Sequence, residues 1–385
     1  NNFIFKKRVI VRVDLNLPIH NQEFTDLTRL EKIKPTVEFL IKNQAKILLI
    51  SHFGRPKGEI NNELSLKNVS SEINKVLEKE IFFYDEAIKN IKIDKIDKIF
   101  EKNDIILLEN LRFYPEEEKN DDSFSKKLAS LGDIYVNECF SVSHRSHSSI
   151  VGIPKHLPSF PGMLLENEIY NLKNLITSNN LSSSVALFGG AKISTKLKII
   201  EFYLQKFGKV IIGGAMAHTF LKVSGIEIGQ SLYEKSMLKK AKEILDQFSQ
   251  KLHLPLDAIV IDKKKLKPVV KKIDEISKSE KILDIGPQTR MSFYNIIVEA
   301  DKLLWNGPLG FYEEKPFDEG TSFVVKAVKD NNNKNFFSVA GGGDTISVLK
   351  QCNAFNFFSF ISTGGGAFLE FIEGGGLPGL DSLNE

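Results

Sequence analysis

The sequence predicts an α/β protein made of two doubly wound, Rossmann-like parallel-sheet domains. Short apolar runs alternate with longer amphipathic segments through both halves of the 385-residue chain, and this alternation is typical of parallel sheets covered by helices. The length exceeds what one hydrophobic core usually organises, so two domains are expected. Arginine and glycine also divide the chain, since six of the seven arginines precede residue 150 and 21 of the 26 glycines follow residue 180. We therefore expect two lobes with different binding chemistry.

Apolar runs of four to six residues, followed by polar residues or glycine, indicate buried parallel strands. They begin at residues 9, 46, 81, 105 and 134 in the first half, and at 185, 210, 257, 302, 336 and 357 in the second. Amphipathic segments that predict helices lie between them, at 29–43, 65–79, 194–207 and 235–252.

The predicted domain boundary is a proline- and glycine-rich segment, 154-PKHLPSFPG, which precedes a helical pattern of about four turns. We predict a first domain over 1–162, a linking helix over 163–180 and a second domain over 181–369. The strongly basic segment 262–281 predicts a solvated surface insertion.

Composition excludes several classes of protein. A net charge of +3 is too balanced to favour a nucleic-acid or membrane-surface partner. The two cysteines, Cys139 and Cys352, are isolated, which fits a reducing compartment, and no apolar run approaches the roughly 20 residues of a membrane span. We therefore expect a cytoplasmic protein.

The sequence argues against two common nucleotide-binding motifs. No GxxxxGK[ST] string occurs, which argues against a P-loop enzyme. A GxGxxG string occurs at Gly374–Gly379, but it follows a charged helical stretch and contains Pro378, and we expect no helix after it. We interpret it as a chance match.

The arginines of the first half predict an anion site. Functional groups of α/β sheets gather at the carboxyl ends of strands, where this half places Asp14, Asn16 and His52. Four arginines lie at or near strand ends or at the start of the first helix in a chain that otherwise uses lysine: Arg29, Arg55, Arg112 and Arg145. A guanidinium grips phosphate and carboxylate at two points, so a shared anion site is favoured over separate surface roles.

His144 and His147 have an i, i+3 spacing that also occurs in metal sites. No cysteine or carboxylate cluster accompanies them, so local hydrogen bonding or support of Arg145 is the favoured interpretation.

Glycine-rich loops of the second half predict a nucleotide site. In 188-FGGAKISTK, Lys192 and Lys196 have the spacing to share one face of a following helix, where bound polyphosphate would explain two cations at a helix start. Gly213 and Gly214 begin a loop whose bare backbone suits a flat base, although small-residue helix packing is an equal alternative. Glu313 offers a carboxylate for ribose hydroxyls.

Two further glycine loops suit phosphate and Mg²⁺. The string 341-GGGDT supplies backbone donors and the carboxylate of Asp344, and a single carboxylate plus substrate phosphates is the usual environment of Mg²⁺. The string 362-STGGGAFLEF predicts a helix with three glycines at its start, a position that stabilises phosphate charge.

Together these strings resemble those of the phosphoglycerate kinase family, in the family's order and over nearly the whole chain. The resembling strings are 10-IVRVDLNLPI, 25-TDLTR, 49-LISHFGRPKG, 107-LLENLRFYPEEEKND, 188-FGGAKIS, 211-IIGGAM, 305-WNGPLGF, 341-GGGDT and 361-ISTGGGAFLEF. Two positions depart from the common pattern: Ala215 stands where a third glycine is usual, and the segment 137–149 varies around Arg145.

The resemblance implies reversible phosphoryl transfer between 1,3-bisphosphoglycerate and MgADP, giving 3-phosphoglycerate and MgATP. It implies a monomer with two lobes that close on their ligands by hinge bending, and a C-terminal tail, 370–385, that packs on the first lobe. The implied phosphoglycerate residues are Asp14, Asn16, Arg29, His52, Arg55, Arg112 and Arg145. The implied nucleotide residues are Lys192, Lys196, Gly213, Gly214, Asn306, Pro308, Glu313, Gly342, Gly343, Asp344 and Thr345.

The implied catalytic groups are Arg29, Lys192 and the Gly364, Gly365 and Gly366 helix start, with Mg²⁺ on Asp344. Such a reaction needs no general base, which agrees with the lack of a nucleophile–histidine–acid pattern. Two alternatives remain open: a nicotinamide-dependent dehydrogenase, which should have an early GxGxxG, and a non-catalytic nucleotide-binding protein, which would not need both Arg29 and Lys192.

Overall fold

A computed structural model describes residues 3–20, 23–177, 181–262 and 267–383. The chain forms two compact units, an N-terminal unit of Asn1–Tyr170 with Gly375–Glu385 and a C-terminal unit of Asn171–Gly374. The division falls inside the helix predicted as the linker, and residues 178–180 of that predicted linker lie outside the described residues. The two-domain α/β fold class is confirmed.

The strands of the N-terminal unit are β1 (Arg8–Arg12), β2 (Ile19–His20), β3 (Glu23–Phe24), β4 (Lys46–Ile50), β5 (Phe82–Tyr84), β6 (Ile105–Leu108), β7 (Ile134–Asn137) and β8 (Ser159–Pro161). They form a six-stranded parallel sheet of order β5-β6-β4-β1-β7-β8 and a small antiparallel pair, β2 with β3. Its helices are α1 (Thr28–Lys42), α2 (Ser70–Leu77), α3 (Ile93–Phe100), α4 (Pro115–Lys119) and α5 (Asp122–Ala129), followed by α6 (Met163–Ile176), which continues into the C-terminal unit.

Strand β1 is central and buried on both faces. Val9 and Val11 belong to one hydrophobic core of the unit, whereas Ile10 belongs to the core on the other face. A strand covered on both sides must be apolar at every position rather than at alternate ones. This is why the run at residue 9 was recognisable from the sequence.

The strands of the C-terminal unit are β9 (Ser184–Phe188), β10 (Lys209–Ile212), β11 (Leu252–His253), β12 (Asp257–Asp262), β13 (Pro268–Lys272), β14 (Glu280–Ile285), β15 (Lys302–Asn306), β16 (Phe337–Gly341) and β17 (Phe360–Ser362). They form a second six-stranded parallel sheet, of order β11-β10-β9-β15-β16-β17, and a three-stranded sheet of order β13-β12-β14. Its helices are α7 (Leu197–Lys206), α8 (Gly214–Val223), α9 (Leu238–Phe248), α10 (Pro287–Val298), α11 (Glu319–Asp330), α12 (Gly343–Gln351) and α13 (Gly366–Ile372).

The prediction of a parallel strand at residue 257 was wrong. Strand β12 pairs antiparallel with both β13 and β14. The segment from β12 to β13 is only a few residues long, and a parallel pairing needs a crossover of a dozen residues or more. Most of the described residues of the basic segment 262–281 are exposed, as predicted, but the segment also contributes β13 to this sheet.

The C-terminal tail belongs to the N-terminal unit from Gly375 onward and ends in a short helix, α14 (Pro378–Asp381). Leu377 is buried, the Gly379 amide donates to the Ser143 carbonyl over 2.8 Å, and the Ser382 hydroxyl donates to the Ile150 carbonyl. In the part of the chain that the structure covers, no helix combines the length and apolar character that crossing a membrane requires.

Candidate active site

Each parallel sheet has one point at which the strand order reverses, and ligands of such sheets bind at that point. In the N-terminal unit the reversal lies between β1 and β7, because the chain adds β4 and β6 on one side of β1 and β7 on the other. In the C-terminal unit it lies between β9 and β15.

In the N-terminal unit, Asp14 connects the two sides of the reversal. Asp14 follows β1, and its carboxylate accepts a short hydrogen bond from the hydroxyl of Ser141, which follows β7. The Arg29 guanidinium, at the second residue of α1, lies 3.1 Å from the same carboxylate and donates to the Asn16 carbonyl over 2.9 Å. The Arg29 side chain remains one-third exposed. These contacts hold one guanidinium at the sheet edge with donors to spare.

Asn16 and Arg112 are joined through Gly54. The Asn16 side-chain oxygen accepts from the Gly54 amide over 2.8 Å, and Arg112 donates to the Gly54 carbonyl over 2.9 Å. Gly54 has a φ of +61°, and a Cβ there would lie 2.6 Å from Leu64, so glycine is required at this turn. The loop after β4 thus links residues that are almost a hundred positions apart in sequence.

A buried polar network underlies these residues, and sequence reasoning did not assign it to the site. Arg12 is fully buried, donates to the Ser149 hydroxyl over 2.9 Å and contacts His52 Nδ1 at 3.1 Å. Ser149 in turn donates to the buried carboxylate of Glu117 over 2.6 Å. The only available signal was an arginine inside an otherwise apolar strand, which a buried strand tolerates only if its charge is compensated.

Burial and the neighbouring Arg12 cation hold the pKa of His52 well below its usual range. His147 lies 3.9 Å from Glu117, and burial together with Arg112 lowers the pKa of His147 to about 4. Both imidazoles are therefore neutral at physiological pH. Among the described residues, no group of three or more His, Cys, Asp or Glu side chains could hold a metal ion, so His144 and His147 are not part of such a cluster.

Arg55 and Arg145 are exposed, and their guanidinium groups form no hydrogen bond or ion pair with the residues that the structure describes. Arg145 is close enough to Arg112 and His147 to lower the pKa of each. Arg112 is partly compensated by the Glu118 carboxylate at 3.4 Å, whereas Arg145 adds a second positive charge beside it, and two neighbouring cations favour an anionic ligand.

In the C-terminal unit, the ends of β9 and β15 are fastened together by backbone and by one lysine. The Gly190 amide donates to the Pro308 carbonyl over 2.8 Å. The Lys196 ammonium donates to the Gly189 and Asn306 carbonyls over 2.7 and 3.0 Å. Burial lowers the pKa of Lys196 to about 8, although the Asp344 carboxylate opposes this shift.

The prediction that Lys192 and Lys196 share one helix face was wrong. Lys192 precedes a 3-10 turn over Ile193–Thr195, and α7 begins only at Leu197. Because Lys196 turns back onto the strand-end carbonyls, the two side chains have different environments. Lys192 is exposed, and its ammonium contacts no partner within the described segments.

Several of the predicted glycines adopt conformations that favour glycine. Gly214 and Gly342 have φ values of +61° and +99° at the starts of α8 and α12, and Gly365 has a φ of +54° just before α13. A Cβ on Gly213 would lie 2.2 Å from Leu309. Thr345 is fully buried, and its hydroxyl accepts from the Gly307 amide over 2.8 Å, so it fixes the loop after β15.

A cavity of about 450 Å³ opens beside these strand ends. Its more polar side is lined by Gly190, Pro308, Glu313 and Asp344, and its apolar side by residues of α8, β12 and β14. This size is within the range of sites for small organic ligands. Asp344 is exposed in the first turn of α12, and one carboxylate beside a phosphate-binding loop is the donor set that a nucleotide-bound Mg²⁺ uses.

Comparison with known proteins agrees with this geometry. Residues 3–375 match the sequence model of the family described as phosphoglycerate kinase. The phosphoglycerate kinase of Wolbachia pipientis wMel is 40% identical over 99% of this chain and 97% of its own length. That of Orientia tsutsugamushi is 41% identical over 98% of this chain and 94% of its own length.

Two solved structures share the fold. Phosphoglycerate kinase from Coxiella burnetii superposes with a TM-score of 0.87 at 34% identity, covering 99% of this chain and 97% of that one. The enzyme from Pyrococcus horikoshii OT3 gives 0.85 at 30% identity, covering 99% and 96%. Because sequence similarity and fold agree over almost the full length, the chain belongs to the phosphoglycerate kinase family.

Proposed function

We propose that this chain catalyses reversible phosphoryl transfer between 1,3-bisphosphoglycerate and ADP, with its N-terminal unit binding the phosphoglycerate and its C-terminal unit binding the nucleotide. The observation that carries this division is the gathering of four arginines around His52 and His147, of which Arg29 is partly exposed and Arg145 exposed. A site of such positive charge suits a small ligand with carboxylate and phosphate groups. The cavity of the other unit has the size and mixed lining that a nucleotide needs.

Within the N-terminal unit, the roles follow from exposure and from hydrogen-bonding capacity. Arg55 and Arg145 are exposed guanidinium groups and would bind the phosphate remote from the reaction. Asp14 and Asn16 would bind the hydroxyl and carboxyl end of phosphoglycerate, and His52, held neutral, would donate or accept a single hydrogen bond. Arg29 would supply positive charge to the transferring phosphoryl group.

Within the C-terminal unit, Glu313 would accept from ribose hydroxyls, and the N-terminal backbone of α12 would bind phosphate oxygens. Lys196 would lie near the α-phosphate of the nucleotide, and the exposed Lys192 would contact the transferring phosphoryl group. Asp344 would hold Mg²⁺ bound with the nucleotide, and the ion would neutralise charge on the phosphate oxygens. The Gly364–Gly366 segment would add backbone donors.

The reaction needs no proton transfer at neutral pH, because both oxygen nucleophiles are already ionised. Rate acceleration therefore depends on alignment of the two substrates and on compensation of negative charge. This accounts for a candidate site in which arginines, lysines and backbone amides are prominent and no residue is assigned the role of a general base.

A coupled assay with 3-phosphoglycerate and MgATP tests the activity directly. Asp344→Asn, titrated calorimetrically, tests the division between the units: MgADP binding should weaken while 3-phosphoglycerate binding stays within about two-fold. An equal loss of affinity for both ligands would instead indicate a structural role for Asp344. Nucleotide binding without any phosphoryl transfer to 3-phosphoglycerate in the coupled assay would favour a non-catalytic nucleotide-binding protein.

A further inference from the structure

One titratable side chain in the cavity of the C-terminal unit has no part in the mechanism described above. His218 lies on α8, four residues after Gly214 and three before Leu221, and all three line the cavity. Residues at this spacing share one face of a helix. The cavity therefore extends from the strand end at Gly214 along about two turns of α8.

The hydrogen bond of His218 fixes its tautomer. Its Nδ1 lies 2.8 Å from the carbonyl oxygen of Leu232, which can only accept, so Nδ1 carries the proton. Burial lowers the pKa of His218 to about 4, so the ring is neutral at physiological pH. Nε2 is consequently a hydrogen-bond acceptor.

The Nε2 lone pair is available to a ligand. Nε2 has no hydrogen-bond partner among the described residues, yet it is absent from the polar atoms that are both fully buried and unpartnered. It therefore keeps solvent access although His218 as a whole is only 5% exposed. The cavity lining includes the apolar side chains of Leu221, Ala258 and Ile282, together with the charged groups of Lys281 and Asp284.

We propose that His218 recognises the nucleobase through Nε2, which accepts a hydrogen bond from the exocyclic amino group of a 6-aminopurine. This contact selects adenine nucleotides over 6-oxopurine nucleotides. The inference rests on the proposed binding of nucleotide in this cavity. A 6-oxopurine would instead place its carbonyl oxygen against the imidazole lone pair. Two hydrogen-bond acceptors would then face each other inside the cavity. Such an unmatched pair is costly because neither atom keeps its hydrogen bond to water.

Lys281 lines the same cavity and would favour the opposite base. It lies on β14, is exposed, and is close enough to contribute to the lowered pKa of His218. Its ammonium is a donor, so if Lys281 rather than His218 contacted position 6, an oxo group would be preferred. The two side chains therefore predict opposite base preferences.

ATP and ITP provide the direct comparison, because they differ mainly in the 6-amino and 6-oxo groups. We expect the wild-type protein to use ATP with a kcat/KM at least about ten-fold above that for ITP, the scale of one mismatched buried hydrogen bond. His218→Phe keeps an aromatic ring without the acceptor, and should reduce the ratio to within about two- to three-fold. The change should appear in the KM for ATP, with kcat and the KM for 3-phosphoglycerate retained.

His253→Phe is the matched control, since His253 is a half-buried histidine of the same unit that does not line the cavity; it should keep the wild-type ratio. If His218→Phe does not fold, purine riboside triphosphate, which lacks a 6-substituent, tests the wild type: its affinity should lie between those of ATP and ITP. An ATP-to-ITP ratio near one or below one in the wild type, or an unchanged ratio in His218→Phe, would overturn the proposal. Absence of transfer with every nucleotide would instead refute the proposed function.

Discussion

At the scale of single residues, Arg29 has the clearest expected effect. Its guanidinium is oriented by Asp14 and by the Asn16 carbonyl, yet remains partly exposed. Arg29→Ala should lower kcat by roughly 10³-fold or more, the range for an arginine that stabilises transferring phosphoryl charge. Arg29→Lys should restore little, because one ammonium cannot replace both contacts of the guanidinium. Steady-state kinetics measure this, and a kcat near that of the wild type in either variant would remove Arg29 from the catalytic set.

Lys196 predicts a pH dependence of nucleotide binding. Its folded pKa of about 8 lies below the usual lysine value, so the cation is present below pH 8 and is lost as the pH rises through 8. If phosphate oxygens need this cation, MgADP should bind roughly ten-fold more weakly at pH 9 than at pH 7. Calorimetric titration across pH 6.5–9.5 measures the effect, and 3-phosphoglycerate binding is the internal control. A nucleotide Kd that does not change across pH 8 would show that the charge of Lys196 is not used.

At the scale of elements, the close approach of the ends of β9 and β15 sets the geometry of the nucleotide site. Gly307 has a φ of +100°, and a Cβ there would lie 2.3 Å from the Gly189 carbonyl oxygen and 2.8 Å from Lys196 Nζ. Gly307→Ala should therefore lower the free energy of unfolding by about 1–3 kcal/mol and weaken MgADP binding. Denaturant titration and calorimetry measure the two effects.

Gly343→Ala serves as the stability control for that substitution. Gly343 begins α12, and no atom lies within 4 Å of a Cβ placed there. The free energy of unfolding of Gly343→Ala should stay near that of the wild type, since alanine is at least as favourable as glycine in a helix. Equal destabilisation of both variants would mean that glycine content, rather than the approach of the two strands, explains the result.

At the scale of the whole molecule, the last residues of the chain stabilise the unit that contains the first ones. Ending the chain after Gly376 removes buried Leu377 and the donors to the Ser143 and Ile150 carbonyls, which flank Arg145. We expect a lower melting temperature and weaker 3-phosphoglycerate binding, with MgADP binding retained. A chain that ends at Leu383 is the matched control. Loss of nucleotide affinity in the shorter chain would contradict the assignment of the tail to the N-terminal unit alone.

The sequence predicted those elements whose burial is local and continuous. Strands β1, β4, β6 and β7 appear as apolar runs because both faces of each are covered. The edge strands β8 and β11 were not predicted, since two or three residues with partial burial leave no periodic pattern. The helix at Thr28–Lys42 was recognised, with Arg29 at its start as expected.

By itself the sequence determined the fold class, the family and the types of charged residue in each unit, because these depend on composition and on patterns along the chain. Only the tertiary structure revealed that Arg12, Ser149 and Glu117 form one buried network and that Lys196 turns away from Lys192 onto two carbonyls. It also revealed the antiparallel pairing of β12 and the acceptor of His218 in the cavity. These features depend on contacts between residues that are distant in sequence, and the strength of a buried hydrogen bond or charge is set by the partners that folding brings to it.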